Sequence, residues 1–281
     1  MRIDAHHHLW EYDAATYPWM TAEFAAIRRR FGPEDLQPHL AQCGMDRTVV
    51  VQTWSSVEET REFLATAART PFIAGVVGWV DLTSDQVGEV IAGLRATQGG
   101  TRLVGIRHQV HDEADPTWLL RTDVQRGVAA VGRAGLAFDL LVRPRELPSA
   151  HATVVRHPEM RFIIDHLAKP PIRTGGSPGW DEWMPRLAAL PNVYCKLSGL
   201  VTEADWGGWS IDQFRPYVDR VLSWFGADRV MFGSDWPVCL VAASYPQVVA
   251  TAQGLVQRLP LAQRDAVFGQ TAVVAYGLRS T

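Results

Sequence analysis

The chain has 281 residues, is 47% hydrophobic and carries a net charge of −3. This composition excludes a disordered chain, and the absence of a basic stripe with interleaved aromatics argues against a nucleic-acid partner. No run approaches the roughly 18 apolar residues of a membrane span, and no apolar signal segment opens the sequence, so we expect a cytoplasmic protein. The three scattered cysteines predict neither a disulfide framework nor a CxxC metal site.

Short β-branched runs alternate with amphipathic segments along the whole chain. We predict eight strands at Arg2–His6, Thr48–Gln52, Ile73–Val80, Leu103–His108, Ala137–Leu141, Arg161–Asp165, Val193–Leu197 and Arg229–Phe232. Helical periodicity is clear at Val57–Ala68, Gln86–Ala96, Asp123–Ala134 and Tyr217–Phe225, and a terminal helix at Arg264–Leu278 is expected to pack outside. No GxGxxG turn follows the first strand. The sequence therefore predicts one α/β domain over residues 1–281, a (β/α)8 TIM barrel with elaborated loops at the carboxyl ends of its strands.

The first strand ends in Asp4-Ala5-His6-His7-His8-Leu9-Trp10. Since strand residues two apart share a face, His6 and His8 are predicted to enter the barrel mouth while His7 points elsewhere. Two imidazoles there can ligate a metal or hydrogen-bond a substrate oxygen. The long loop from Trp10 to Arg30 follows, and we predict that Trp19 and Tyr17 lie on a mobile lid over the site.

Two strands carry charged residues near their ends. In the fourth, either Arg107 or His108 should point inward by alternation, and the sequence leaves this choice open. In the seventh, Lys196 should reach a carboxylate or contact substrate, because an unpaired buried lysine is costly. Cys195 should then face the opposite way, and its motif offers no base that would favour a nucleophilic role.

Two further motifs follow predicted strands directly. Ile163-Ile164-Asp165-His166 places His166 at the end of the sixth strand, where barrel enzymes carry catalytic residues, while Asp165 is expected to orient or cap. Phe232-Gly233-Ser234-Asp235-Trp236-Pro237 ends the eighth strand, which closes beside the first. Asp235 should therefore face His6 and His8, where a carboxylate can take a proton from water or complete a metal site.

Together these motifs resemble the amidohydrolase superfamily, of the amidohydrolase-2 type, over nearly the whole chain. Within it the chain is similar to the lactonase group, and the segment 200–206 most resembles the L-fuconolactone hydrolases. The resemblance implies that Asp235 activates water while His6, His8 and His166 surround the carbonyl of the substrate. Two-metal members carry a carboxylated lysine on the fourth strand, where this chain has Ile106-Arg107-His108. The resemblance thus argues against a binuclear centre, and some lactonases of the group work without metal.

We therefore expect no required cofactor. The alternative is one zinc or other divalent ion held by His6, His8, His166 and Asp235, because the same residues could either ligate a metal or stabilise an oxyanion.

The predicted activity is hydrolysis of a sugar-acid lactone to the open hydroxy acid. A metal-dependent decarboxylase is the alternative within the superfamily, and a non-catalytic sugar-binding barrel is a third hypothesis. The predicted partner is the small-molecule lactone, with no nucleic acid and no membrane, and a homo-oligomer is compatible with the sequence. Substrate contacts are predicted for Gln52, Arg107, His108, Lys196 and Asp205, with Trp10, Trp54, Trp206 and Trp236 covering the apolar faces of the ring.

Overall fold

A computed structural model describes residues 1–176 and 178–279 of the chain. Eight parallel strands pair in sequence order. The backbone N–H of His8 donates to the carbonyl of Trp236 at 2.6 Å, and that of Asp235 to the carbonyl of His6 at 2.8 Å, so the end of the eighth strand lies beside the first. The strands are Ile3–His7 (β1), Arg47–Val51 (β2), Ile73–Gly78 (β3), Leu103–His108 (β4), Ala137–Leu140 (β5), Phe162–Ile164 (β6), Val193–Leu197 (β7) and Val230–Phe232 (β8). The predicted TIM barrel is confirmed.

A helix follows each strand, as parallel βα units require. The helices are Pro33–Cys43 (α1), Val57–Arg69 (α2), Val87–Ala96 (α3), Thr122–Arg133 (α4), Leu147–Arg156 (α5), Pro178–Ala188 (α6), Ile211–Phe225 (α7), Tyr245–Val256 (α8), Leu261–Asp265 (α9) and Thr271–Tyr276 (α10), with a π-helical turn at Ala266–Gln270. Short 3-10 segments lie at Ala22–Ile27, Gly100–Arg102, Val110–Asp112, Trp118–Leu120, Pro144–Glu146, Asp165–Ala168, Ala227–Arg229 and Val238–Val241.

Helix α2 shows how the local sequence produces these elements. The Ser56 side chain accepts a hydrogen bond from the backbone N–H of Glu59 and so caps the first turn. Phe63, Leu64 and Ala67 are buried at three- and four-residue spacing, whereas Arg61 on the opposite face is exposed. The periodicity therefore predicts the helix correctly, and only its last residue differs from the predicted range.

The barrel interior near the strand starts is apolar, and the end of the chain closes it. Ala272, Ala275, Tyr276 and Leu278 pack in one buried cluster with inward-facing strand residues, which include Ile3, Val49, Val77, Ala137, Ile163 and Met231. The Tyr276 hydroxyl reaches into the barrel and donates to Asp139 at 2.6 Å. The prediction that the terminal helix packs outside the barrel is therefore wrong, because its last turns plug the amino-terminal mouth.

The outward faces of the strands pack against the helices. Phe138, Phe162, Cys195 and Phe232 belong to the large buried cluster that the helices share. Cys195 thus faces away from Lys196, as alternation along β7 predicts. None of the helices within residues 1–176 and 178–279 is long and apolar enough to cross a membrane.

Candidate active site

Four side chains converge at the carboxyl end of the barrel. Asp235 Oδ1 lies 3.3 Å from His8 Nε2, 3.8 Å from His6 Nε2 and 3.9 Å from His166 Nε2. The Nε2 atoms of His6 and His8 are 3.2 Å apart. All four residues are buried. The structure therefore brings together the predicted catalytic residues His6, His8, His166 and Asp235, which are called the reactive group below.

A β-bulge in β1 produces this convergence. The register between β1 and β2 shifts between Asp4 and His7, so Ala5 packs in the inner apolar cluster while the next residue, His6, also points inward and reaches Lys196. His7 then faces outward, where its Nε2 lies 2.9 Å from the Thr48 hydroxyl. Asp4 anchors the bulge, since its Oδ1 accepts from the backbone N–H of His6 at 3.2 Å and of Ser234 at 2.8 Å.

The hydrogen bonds of the imidazoles define which nitrogens face the site. His8 Nδ1 lies 2.8 Å from the carbonyl of Val51, which can only accept, so Nδ1 carries a proton and Nε2 faces Asp235. His166 Nδ1 lies 2.8 Å from the Ser198 hydroxyl. The Nε2 atoms of both imidazoles are thus the ones that face Asp235.

This donor set fits one divalent cation. The ligand atoms of His6, His8 and Asp235 all lie within 4.8 Å of one another. Around a tetrahedral zinc with bonds of about 2.0–2.1 Å, ligand atoms are separated by about 3.3 Å, close to the 3.2 and 3.3 Å separations seen here. A second group of His6, Asp165 and His166 shares His6 with the first. Three of the four predicted ligands, His6, His8 and Asp235, can therefore offer a single-ion site, while His166 belongs to the second group.

Beneath the imidazoles lies a fully buried layer of charges. Lys196 Nζ lies 2.6 Å from Asp139 and 2.8 Å from Asp165, and it also contacts His6 Nδ1 at 3.0 Å. Arg107 lies 3.0 Å from the other oxygen of Asp165. Burial alone would raise the pKa of Asp165, but Lys196 outweighs it, helped by His6 and Arg107, and holds this pKa well below its usual range. The layer thus supports His6 from below.

The pKa values of His6, His166 and Asp235 favour neutral imidazoles on these two histidines beside an ionised carboxylate. Burial lowers the pKa of His166 to about 3, and burial together with the Lys196 ammonium holds that of His6 well below its usual range. Burial would raise the pKa of Asp235, but His166 and His8 outweigh it and lower this pKa. At neutral pH the carboxylate of Asp235 is therefore available as a base.

The turn after β6 has a left-handed backbone over four consecutive residues. His166, Leu167, Ala168 and Lys169 have φ of 53°, 53°, 59° and 49°, a region that costs about 1–2 kcal/mol for each such residue. The indole N–H of Trp180 donates to the carbonyl of Leu167 at 2.6 Å, and Lys169 pairs with Glu203 at 2.8 Å. The predicted sixth strand, which extended to Asp165, is therefore shorter, because this turn begins at Asp165.

A cavity of about 420 Å³ opens above the reactive group. Its lining residues come from the loops after β1, β4, β5, β6, β7 and β8, and they are His8, Trp19, Phe24, Arg107, Gln109, His111, Asp112, Leu141, Arg143, His166, Lys169, Thr202, Glu203, Trp206, Asp235 and Val238. A groove of about 660 Å³ beside α1 and α2 is larger, but none of the four reactive side chains lines it. The smaller cavity is therefore the candidate substrate site.

Of the predicted substrate contacts, Arg107 and Trp206 line this cavity. Arg107 settles the choice left open on β4, since its Nη1 lies 3.4 Å from His6 Nε2. Gln52 is buried behind it and accepts from Arg107 Nε at 3.0 Å, so it orients the guanidinium.

His108 points away from the cavity, so the prediction that it contacts substrate is corrected, and it has a structural role instead. Its ring stacks on Trp118 with centroids 4.2 Å apart, accepts from the indole of Trp79 at 3.1 Å and lies 2.7 Å from Glu113. It is absent from the cavity lining. The predicted substrate contact of Lys196 is corrected in the same way. Lys196 is wholly buried in the charge layer, where it reaches carboxylates instead of the cavity.

The remaining predicted contacts also lie outside the cavity lining. The indole N–H of Trp10 donates to the carbonyls of Ile27 and Arg29 and so pins the β1 loop. Trp236 is 1% exposed and packs edge-on against Phe31. Trp54 and Asp205 are exposed on the surface. The geometry therefore does not support their predicted roles as substrate contacts: Trp10 and Trp236 hold loops, whereas Trp54 and Asp205 face the surface.

In the β1 loop, Trp19 lines the cavity as the lid prediction requires, but Tyr17 does not. Tyr17 is 5% exposed, and its hydroxyl lies 3.3 Å from that of Thr53. Phe24, from the 3-10 segment of the same loop, takes its place in the lining.

Sequence reasoning missed several polar residues of the site. Asp139 carries a readable signal, because a carboxylate inside an apolar strand needs a buried partner. Asp112, Arg143 and Glu203 lie in loops, where no periodicity shows which side chains turn toward the cavity. Ser198 follows β7 directly, so its place beside a strand end was the available signal.

The fold and its histidines and aspartate, which converge at the carboxyl ends of the strands, are typical of a barrel enzyme. The chain belongs to the amidohydrolase family, whose sequence profile matches residues 3–278. It is 46% identical over 246 residues to the L-fucono-1,5-lactonase of Burkholderia ambifaria, covering 87% of this chain and 83% of that one. It is 39% identical to the L-fucono-1,5-lactonase of Burkholderia multivorans, covering 99% and 96%.

A solved structure gives the same picture of the fold. The crystal structure of an amidohydrolase from Burkholderia multivorans with bound zinc superposes with a TM-score of 0.95 at 39% identity, covering 99% of this chain and 100% of that one. The chain is therefore a hydrolase of this family, and the predicted resemblance is confirmed.

Proposed function

We propose that this protein hydrolyses a sugar-acid lactone of the L-fuconolactone type. One observation carries the proposal: three imidazole Nε2 atoms meet the ionised Asp235 within 3.3–3.9 Å at the floor of the cavity. The two related lactonases, at 46% and 39% identity, support the substrate class. A lactone is an activated ester, so one base and a polarised carbonyl suffice for its hydrolysis.

In the proposed reaction Asp235 accepts a proton from water as the water oxygen attacks the lactone carbonyl. The carbonyl oxygen gains negative charge, which Arg107 stabilises through Nη1 together with the imidazoles beside it. The bond between the carbonyl carbon and the ring oxygen then breaks. Asp235 returns its proton to the leaving ring oxygen, which becomes a hydroxyl group, and the base is restored. The new carboxylic acid keeps the second proton of the water and releases it to solvent as it becomes the carboxylate.

Other residues hold these groups in place. Arg107 donates from Nε to Gln52 and from Nη1 to Asp165, and these two bonds hold Nη1 beside His6. The Val51 carbonyl keeps His8 in one tautomer. We infer that Trp206, which lines the cavity, contacts the sugar ring.

The donor set also accommodates a metal, which His6, His8 and Asp235 would hold, with His166 beside them. When bound, a divalent ion would supply Lewis-acid polarisation of the substrate oxygen. That activity needs no metal stays a prediction. Its basis is that Arg107 and the imidazoles offer hydrogen-bond donors at the same place.

The test is a panel of sugar-acid lactones, with acid release followed by a pH indicator and products identified by mass. Turnover of deoxy-sugar lactones with formation of the hydroxy acid supports the proposal. Release of carbon dioxide from aromatic or enoic acids, with no activity on lactones, would replace it by the decarboxylase alternative. Lactone binding without turnover would instead support a non-catalytic sugar-binding barrel.

A further inference from the structure

The cavity has a polar side built by three adjacent loops. Gln109, His111 and Asp112 follow β4, Arg143 follows β5 and Lys169 follows β6. Lys169 is paired with Glu203, and His111 Nε2 lies 3.1 Å from Asp112 Oδ1, but the side chains on this side retain further donors and acceptors for substrate hydroxyls. Leu141 is the apolar exception on this side, at the end of β5.

The opposite side of the cavity is built by the loops after β7, β8 and β1, and it is largely aromatic. Trp19 and Phe24 meet edge-to-face with ring centroids 5.3 Å apart, and Phe24 meets Trp206 in the same way at 5.1 Å. Val238, from the segment after β8, completes this apolar side. The four residues Trp19, Phe24, Trp206 and Val238 are called the apolar wall below.

The polar groups near the apolar wall are already engaged. The Thr202 hydroxyl donates to the carbonyl of Gly199 at 2.8 Å, and the indole N–H of Trp206 donates to the carbonyl of Thr202 at 3.0 Å. Glu203 is paired with Lys169 at 2.8 Å. A substrate hydroxyl placed against the rings of this wall would therefore lose water, and among these groups only the oxygens of Thr202 and Glu203 could still accept from it.

A 6-deoxy sugar-acid lactone has the same two-sided chemistry. In the 1,5-lactone the carbonyl carbon joins C2, which carries a hydroxyl, and the ring oxygen joins C5, which carries the terminal methyl. When the carbonyl lies over Asp235 and the imidazoles, the two sides of the ester bond point to opposite sides of the cavity. The hydroxyl-bearing edge can then face the polar loops while the methyl faces the other side.

We propose that the apolar wall is a subsite for the terminal methyl group of a 6-deoxy sugar-acid lactone and determines specificity against lactones with a hydroxymethyl group there. This inference rests on the proposed lactonase function and adds the residues that select the substrate. An apolar pocket rejects an added hydroxyl by about 100-fold at most, since the hydroxyl can retain part of its hydration. The expected preference is therefore about 10- to 100-fold in kcat/KM.

The experiment compares L-fucono-1,5-lactone with L-galactono-1,5-lactone, which differ only in a hydroxyl on C6. The wild type should prefer the deoxy lactone by the factor given above. Val238→Thr replaces a methyl by a hydroxyl at nearly constant volume, and we expect it to lower the preference at least about fivefold. Phe24→Ser, in the exposed β1 loop, should do the same and keeps the test intact if the first variant folds poorly.

Two controls separate this subsite from general effects. Val155→Thr makes the same chemical change on the outer helix α5, where Val155 is 53% exposed, and should leave the preference unchanged. Arg143→Gln, on the polar side, should lower kcat/KM for both lactones by similar factors, because they share their ring hydroxyls. A preference that survives both wall variants overturns the subsite while lactonase activity stands. Absence of turnover on every lactone overturns the proposed function itself.

Discussion

Replacement of Asp235 by Asn isolates the role of the base from that of the fold. The backbone N–H of Asp235 donates to the carbonyl of His6 at 2.8 Å, and Asn retains this bond. The φ of 58° lies in the left-handed region, which Asn tolerates at least as well as Asp. The side-chain volume is unchanged, so the thermal midpoint should move by only a few degrees.

The catalytic effect should be large because the amide cannot accept the proton of the attacking water. Loss of a general base lowers the rate by about 10²–10⁴, and we expect kcat to fall by about a thousandfold, which corresponds to about 4 kcal/mol of barrier. The assay is acid release from L-fucono-1,5-lactone at saturating substrate. Asp219→Asn, which makes the same change on exposed α7, is the matched control. A folded Asp235→Asn enzyme within tenfold of the wild-type kcat would refute the assignment.

The pH profile offers an independent check of the same residue. Since His166 and His8 lower the pKa of Asp235 below its ordinary 3.8, the base stays ionised as the pH falls from 7 to about 5. The kcat/KM of the wild type should therefore show no acid limb near pH 6. If the wild type shows such a limb, and substitution of a residue other than Asp235 removes it, the base is that other residue.

Three further outcomes follow from the buried charges and the donor set. Lys196→Met leaves Asp139 and Asp165 without their ammonium partner, and urea titrations should show a free energy of unfolding lower by about 3–5 kcal/mol. The control Lys169→Met removes one partly exposed ion pair and should lower it by about 1 kcal/mol or less. Exhaustive chelation should leave most lactonase activity, because Arg107 supplies positive charge at the oxyanion; stoichiometric metal by elemental analysis, whose removal abolishes turnover and whose return restores it, would contradict this. Burial raises the pKa of Glu59 from 4.5 to about 7, so the folded state holds an extra proton. Wild-type stability should therefore fall relative to Glu59→Gln by about 3 kcal/mol as the pH rises from about 4.5 to about 7. Parallel stability curves for the two proteins would show that burial does not raise this pKa.

The barrel could be predicted because its signal is local. Val49–Val51 and Ile163–Ile164 are apolar on both faces, which is typical of strands covered inside and outside. The position of the terminal helix, in contrast, depends on contacts between residues far apart in the sequence. Tyr276 enters the barrel because Asp139, 137 residues earlier, accepts its hydroxyl, and no periodicity in the terminal helix indicates that partner.

The reactive group could be predicted from strand ends, but the depth of a side chain along the barrel axis could not. His6, His8, His166 and Asp235 stand at or just after the ends of their strands, where the barrel opens. Lys196 is one layer lower, so the same inward direction brings it to carboxylates instead of the cavity. Alternation fixes a face only while the strand is regular, and the bulge in β1 places both Ala5 and His6 inside.

Backbone strain shows why the local sequence could locate this site without defining its geometry. Among residues 1–176 and 178–279, the non-glycine residues with positive φ are Asp235 and the run from His166 to Lys169, and all of them belong to the two loops that carry the reactive group. Each costs about 1–2 kcal/mol and persists only where surrounding contacts impose it. Those contacts come from Trp180 on α6, from Glu203 after β7 and from the backbone of His6 on β1. The conformation that aims His166 and Asp235 at each other is therefore a property of the assembled barrel, and the stability of the rest of the fold maintains it.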